Sequence, residues 1–306
     1  MAVKGSALGL ALLVLALASL ADWMWKELLW SESLRLQGFI QVEWPHAQSA
    51  MSLLSSCSLF LTLAPQCLFF YFDAPLTGVH LSLFTFLASG SSGLLKMFYS
   101  DPRPYWISDT VKGLACEQDW GTPSGHALFT SAVWGAVAVS LVRKGYKSSI
   151  PLVLLWLALI GFSRLYLGVH FLSQVVLGWA WGGVLTALYS HLTQAKIGKK
   201  EYVAWLGSVV VLGTAAVLAS YKNFAWDEDW PLHISRSCVY TSASPQIKGL
   251  LETSLLAWLL GLLLIAYPSQ SSSAYHSLPS HSSLRKSLLC VISLVPVLGA
   301  VGTGKL

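Results

Sequence analysis

A chain of 306 residues that is 55% hydrophobic and only 11% charged falls well below the roughly 25% charged residues of a soluble domain, which excludes water as its main solvent. Its net charge of +5 collects in short loops beside apolar stretches, with no basic stripe interleaved with aromatic residues, so membrane topology accounts for it and a nucleic-acid partner is excluded. The expected fold class is all-α, a polytopic bundle of transmembrane helices in contact with membrane lipids.

Nine apolar stretches approach the roughly 20 residues that cross a bilayer. They lie near residues 5–25, 51–72, 77–98, 123–142, 148–168, 171–191, 202–220, 249–267 and 287–303. The first carries Lys4, a leucine–alanine run and Ser19-Leu20-Ala21 ahead of Asp22. It reads as a retained anchor, with a cleaved signal peptide as the alternative. Residues 1–50 therefore make an N-terminal anchor (or signal peptide) and interfacial segment, 51–191 the helix bundle that holds the candidate chemistry, and 192–306 the C-terminal transmembrane helices.

Basic residues in short loops mark the cytosolic side. Arg143, Lys144 and Lys147 share one such loop, Lys196, Lys199 and Lys200 the next, and Arg285 and Lys286 a third, after a serine-rich stretch (269–286) that reads as a flexible linker. The opposite side is lumenal or extracellular. Cys116 and Cys238 both fall there, where a disulfide is permitted, although spacing does not show whether they meet. Cys57, Cys67 and Cys290 lie within spans and read as apolar filler. Trp23, Trp25, Trp106, Trp120, Trp226 and Trp230, near span ends, are expected to form an interfacial aromatic belt.

Chemistry concentrates at three places. The third span ends in "KMFYSDPRP", with Lys96 and then Arg103. The loop that follows, 99–122, offers tryptophan and tyrosine surfaces as well as Asp109, Glu117, Gln118 and Asp119, a mixture that suits a lipid and a sugar equally. The fourth span opens on "GTPSGHALF". Thr122 is the expected N-cap and Pro123 the first helical residue, while Gly125 lets a ligand approach the backbone N–H groups. Such a helix start is an anion site, and His126 stands beside it. The turn between the fifth and sixth spans, "SRLYLGVHF", carries Arg164 and His170.

Counting spans brings all three segments to one lumenal face. Taken singly, each residue has an ordinary explanation as a snorkelling cation or a solvated histidine. Together, three cations and two histidines at one membrane boundary call for an anionic partner, and phosphate suits guanidinium forks.

In order and spacing, Lys96 to Pro104, Pro123 to His126 and Ser163 to His170 resemble the signature of the type 2 phosphatidic acid phosphatase (PAP2) superfamily. The strict likeness runs over residues 96–170 and a weaker one over about 36–191. The resemblance implies a PAP2-type helical catalytic core and a phosphoric monoester hydrolase that works without a metal or other cofactor. His170 would be the nucleophile, forming a phosphohistidine, and His126 the general acid and then base. Lys96, Arg103 and Arg164 would hold the non-bridging oxygens, with Ser124 and the Gly125 backbone completing the cradle.

One position departs from the commoner pattern: Gln174 stands where many members carry an aspartate that orients the nucleophile. The resulting expectation is an endoplasmic reticulum membrane phosphatase with a lumenal site. Its substrate is a phosphorylated lipid, an isoprenoid diphosphate or another small phosphate ester, with glucose 6-phosphate as the alternative. A phosphotransferase and a non-catalytic scaffold are the other function classes.

Overall fold

A computed structural model describes residues 3–68, 75–117, 119–193 and 229–238, together with isolated positions between 207 and 227. Its elements are helices, with no strand among the described residues. Five helical segments, Ala7–Glu43, His80–Ile107, Gly125–Arg143, Ser149–Tyr166 and Leu172–His191, are long and apolar enough to cross a membrane, and the chain is a membrane protein. The expected span at 51–72 is described only as far as residue 68 and is not among the five, that at 202–220 is described only at isolated positions, and those at 249–267 and 287–303 lie outside the described residues, so the count of nine stands as an expectation.

Helix α1 (Val3–Glu43) leads through a 3₁₀ turn (Pro45–Ala47) to α2 (Gln48–Leu68). Then come α3 (Pro75–Tyr99), the short α4 (Pro104–Ile107), α5 (Gly125–Arg143), α6 (Ser149–Tyr166), α7 (Leu172–Leu192) and α8 (Trp230–Ser237). α5 is the centre, lying chiefly on α7 and flanked by α2, α3 and α6.

Two glycines of α7 set how closely α5 approaches. A Cβ on Gly178 would stand 2.7 Å from the Ser124 carbonyl oxygen, and one on Gly182 would stand 2.7 Å from that of Leu128. Small residues at helical spacing thus let the two backbones touch where no hydrophobic effect exists to hold helices together. Around this seam lie Ala88, Leu128, Phe129 and Ala132, while Leu152, Leu154 and Leu155 of α6 are exposed, as residues facing lipid are.

α1 has non-helical backbone at Trp25, where two helical stretches join, and runs on to Glu43. Its first half exposes Leu13 and Leu17, whereas its second half buries Ser33, Gln37 and Ile40. The polar side chains here have fixed partners. Gln37 Nε2 donates to the His170 carbonyl (3.0 Å), Gln41 Nε2 to the Tyr166 carbonyl (2.8 Å), and the Leu172 N–H to Ser33 Oγ (3.0 Å). α1 therefore braces the turn between α6 and α7.

The expected aromatic belt also divides. Trp23 and Trp25 are exposed, but Trp106 and Trp120 are buried and pack with Trp230, with ring centroids 5.7–6.1 Å apart. Trp226 lies outside the described residues. The three rings tie α4 and the loop after it to α8, and the same join is made covalently by a Cys116–Cys238 disulfide.

Candidate functional site

Each motif reaches the site through a different local device. Pro104 opens α4 at a position where no N–H is needed, and the preceding Arg103 is held extended (φ −96°, ψ 157°). Its side chain thereby turns into the protein with no exposure at all. Nε donates to the Asp119 carbonyl (2.6 Å) and Nη1 to the Val169 carbonyl (2.9 Å), while Nη1 also meets Glu117 Oε2 at 2.6 Å and lies 3.3 Å from His170 Nε2.

The start of α5 departs from the expected cap. Ser124, not Thr122, is the N-cap, and the helix begins at Gly125. The Ser124 N–H donates to the Gln174 carbonyl (2.9 Å), and the Ser124 carbonyl takes the first helical bond from Leu128 (2.9 Å). Gly125, His126 and Ala127 are thus the positions whose N–H groups lack an intrahelical partner. A Cβ on Gly125 would come within 3.9 Å of Lys96 Nζ, which shows how near the lysine lies to this helix end. His126, on the same first turn, is only partly buried.

The third motif brings Arg164, at the end of α6, and His170, just before α7. Both are buried. Gln174 Nε2 donates to the Pro102 carbonyl (2.9 Å), and its Oε1 accepts from the Phe171 N–H (3.1 Å), so both ends of the amide are fixed. The oxygen then lies 3.2 Å from His170 Nδ1. An amide oxygen only accepts, so the ring proton sits on Nδ1 and the Nε2 lone pair points elsewhere. Burial, and then the Arg103 guanidinium, hold the His170 imidazolium well below its ordinary pKa, so the ring is neutral near pH 7.

Lys96, Arg103, Arg164 and His170 therefore converge, with Ser124 and Gly125 at their edge. What composition did not indicate is the partner they share. Glu117 bridges Arg103 and Arg164, and its Oε2 lies 3.8 Å from His170 Nε2. Asp119 bridges Lys96 (2.6 Å) and Arg103. Burial alone would raise the Glu117 pKa, but the Arg103 and Arg164 guanidinium groups overcome it and hold the carboxyl well below the usual range. Asp119 is held down in the same way by Lys96 and Arg103 against its own burial. The only hint in the sequence was two carboxylates next to a cysteine, in the loop that lies between Arg103 and the start of α5.

Two donors in this cluster have no partner. Ser124 Oγ and Arg164 Nε are buried and make no hydrogen bond. Unmet buried donors beside cations suit an anion whose oxygens reach positions that the two carboxylates do not.

Residues 77–197 match the family profile described as the PAP2 superfamily. The chain is 31% identical over 116 residues to the glucose-6-phosphatase catalytic subunit 1 of Canis lupus familiaris, covering 29% of this chain and 32% of the relative. It is 27% identical over 190 residues to the glucose-6-phosphatase 3 of Mus musculus, covering 54% of each. The chain thus spans about a third to a half of the length of the curated relatives it matches. Among solved structures it shares its fold with the first transmembrane PAP2 type phosphatidylglycerolphosphate phosphatase from Bacillus subtilis. The TM-score is 0.52 at 22% identity, over 63% of this chain and 97% of that one.

Proposed function

We propose that the PAP2 superfamily domain carried by residues 77–197 makes this chain a membrane phosphatase that cleaves a phosphate monoester through a phosphohistidine, without a metal. The observation that carries this reading is the approach of three buried cations to a neutral histidine whose Nε2 faces them.

Nε2 of His170 attacks phosphorus as the bond to the leaving oxygen breaks, while Lys96, Arg103, Arg164, Ser124 and the N–H groups from Gly125 onward carry the charge on the non-bridging oxygens. His126 protonates the departing alkoxide. It then takes a proton from water, which attacks phosphorus, breaks the P–N bond and restores His170.

For the substrate, the likeness to glucose-6-phosphatases favours a phosphorylated sugar, and glucose 6-phosphate is the first to test. The membrane setting and the fold shared with a lipid phosphatase support a lipid or isoprenoid phosphate as the second reading. Basic cytosolic loops and a disulfide beside the site support a lumenal orientation in the endoplasmic reticulum. The purified protein should release phosphate faster from glucose 6-phosphate than from phosphatidic acid, a sphingoid phosphate or an isoprenyl diphosphate. Turnover of the lipids alone would overturn the sugar reading, and turnover of none would overturn the enzyme.

Gln174 is a positioning residue here. Gln174→Ala should lower kcat about 10- to 100-fold, the usual effect of removing such a support, with little change in KM. Gln174→Asp, which restores an acceptor for Nδ1–H, should recover most of the loss. An increase in KM alone would assign Gln174 to substrate binding instead.

The depressed pKa of His170 sets the pH profile. The ring must be neutral to attack, and it is already neutral above its lowered pKa. Between pH 7.5 and 6, kcat/KM should therefore show no acidic limb from the nucleophile, once the substrate's own second ionisation near pH 6 is allowed for. A limb at or above the ordinary histidine value of 6.5 would mean that His170 is charged at rest.

A further inference from the structure

We propose that Glu117 and Asp119 are an internal counter-anion of the phosphate cradle, a two-carboxylate plug that substrate must displace before His170 can react. This rests on reading the cradle as a phosphate site, and it adds two residues that decide how tightly phosphate binds there.

Charge is the first argument. Lys96, Arg103 and Arg164 are 5%, 0% and 2% exposed, and buried cations without partners are strongly unfavourable. Glu117 and Asp119 contact all three. Together they supply two negative charges, about what a phosphomonoester carries at neutral pH. Exchange of plug for substrate is therefore close to charge-neutral, whereas a singly charged ester leaves the cations under-compensated.

Position is the second argument. The Glu117 carboxylate lies between two guanidinium groups, with Oε2 3.8 Å from His170 Nε2. An in-line attack brings phosphorus to about 3–3.5 Å from that nitrogen. The carboxylate and the phosphoryl group compete for the same space, and only one can occupy it.

The third argument is what the plug leaves unmet. Ser124 Oγ and Arg164 Nε stay buried without partners while the carboxylates are in place. Phosphate, with three non-bridging oxygens, can reach donors that the plug does not satisfy, so the exchange favours substrate.

The loop is built for a short excursion. Its ends are held by the Cys116–Cys238 disulfide, by the Leu114 N–H on the Leu167 carbonyl (3.0 Å) and by the Gly121 N–H on the Asp101 carbonyl (2.8 Å). The Glu117 and Asp119 side chains are 21% and 34% exposed, which gives both a way out to solvent. Rotation of these side chains frees the cradle without dismantling the loop.

The test uses full-length protein in detergent, with inorganic phosphate as the probe and calorimetry as the readout. Glu117→Asp keeps the charge but shortens the reach by one methylene, and it should bind phosphate about tenfold more tightly, because the closed state that competes with phosphate is weakened. The neutral double variant Glu117→Gln, Asp119→Asn should bind at least as tightly as Glu117→Asp. Unchanged or weaker binding by Glu117→Asp would overturn the plug while leaving the phosphate site intact. No binding by the wild type or either variant would overturn both.

Discussion

His170→Ala abolishes both turnover and the acid-labile phosphoenzyme. The nucleophile forms the bond that divides the reaction into two steps, so its loss should lower kcat by about 10⁴-fold or more. That corresponds to about 5 kcal/mol of transition-state stabilisation. His170 is buried and pinned by Gln174 and Arg103, and no other histidine among the described residues is held by that pair. Rapid quench with ³²P-labelled substrate checks this directly. A phosphoenzyme of normal stoichiometry in the variant would mean that phosphorus is attacked by another group.

His126→Ala separates the two histidines by the leaving group. With a sugar phosphate, whose alkoxide needs a proton, the rate should fall about 10²- to 10⁴-fold, the range for loss of a general acid. With p-nitrophenyl phosphate the first step needs that proton far less and is largely spared. The second step still lacks its base. The variant should therefore accumulate phosphohistidine from the activated substrate, whereas His170→Ala gives none from either. Equal loss of phosphoenzyme in both variants would show that His126 holds the site together and does not move protons.

The cationic half of the site was legible in the sequence because its chemistry is carried by residue type and short spacing. Lys96, Arg103, Arg164 and His170 meet as expected, since helix length alone brings the ends of α3, α5 and α6 to one face. Even the substitution at Gln174 could be read correctly, because an amide oxygen accepts the same imidazole proton as a carboxylate.

The anionic half was not legible. Glu117 and Asp119 lie in a loop without periodicity, and their position depends on a partner 122 residues along the chain from Cys116. The same non-local packing draws Trp106 and Trp120 inward, although their place beside span ends suggested the membrane interface. The contacts of Ser33 and Gln37 were not legible either, because nothing local shows that the turn after α6 takes those donors and acceptors. The helix start lies two residues beyond the expected Thr122, at a Ser124 cap whose N–H donates to the distant Gln174 carbonyl.

The Cys116–Cys238 bond places a condition on synthesis. Lys96, Arg103, His126, Arg164 and His170 have all left the ribosome long before residue 238, so every motif precedes the second half of the clamp in time. A nascent or truncated chain ending ahead of that cysteine holds the whole set of reactive groups, yet it has no covalent tether on the loop that bears Glu117. Maturation of this protein is therefore a late event set by its C-terminal third, and lesions there can disarm a site whose own residues are intact.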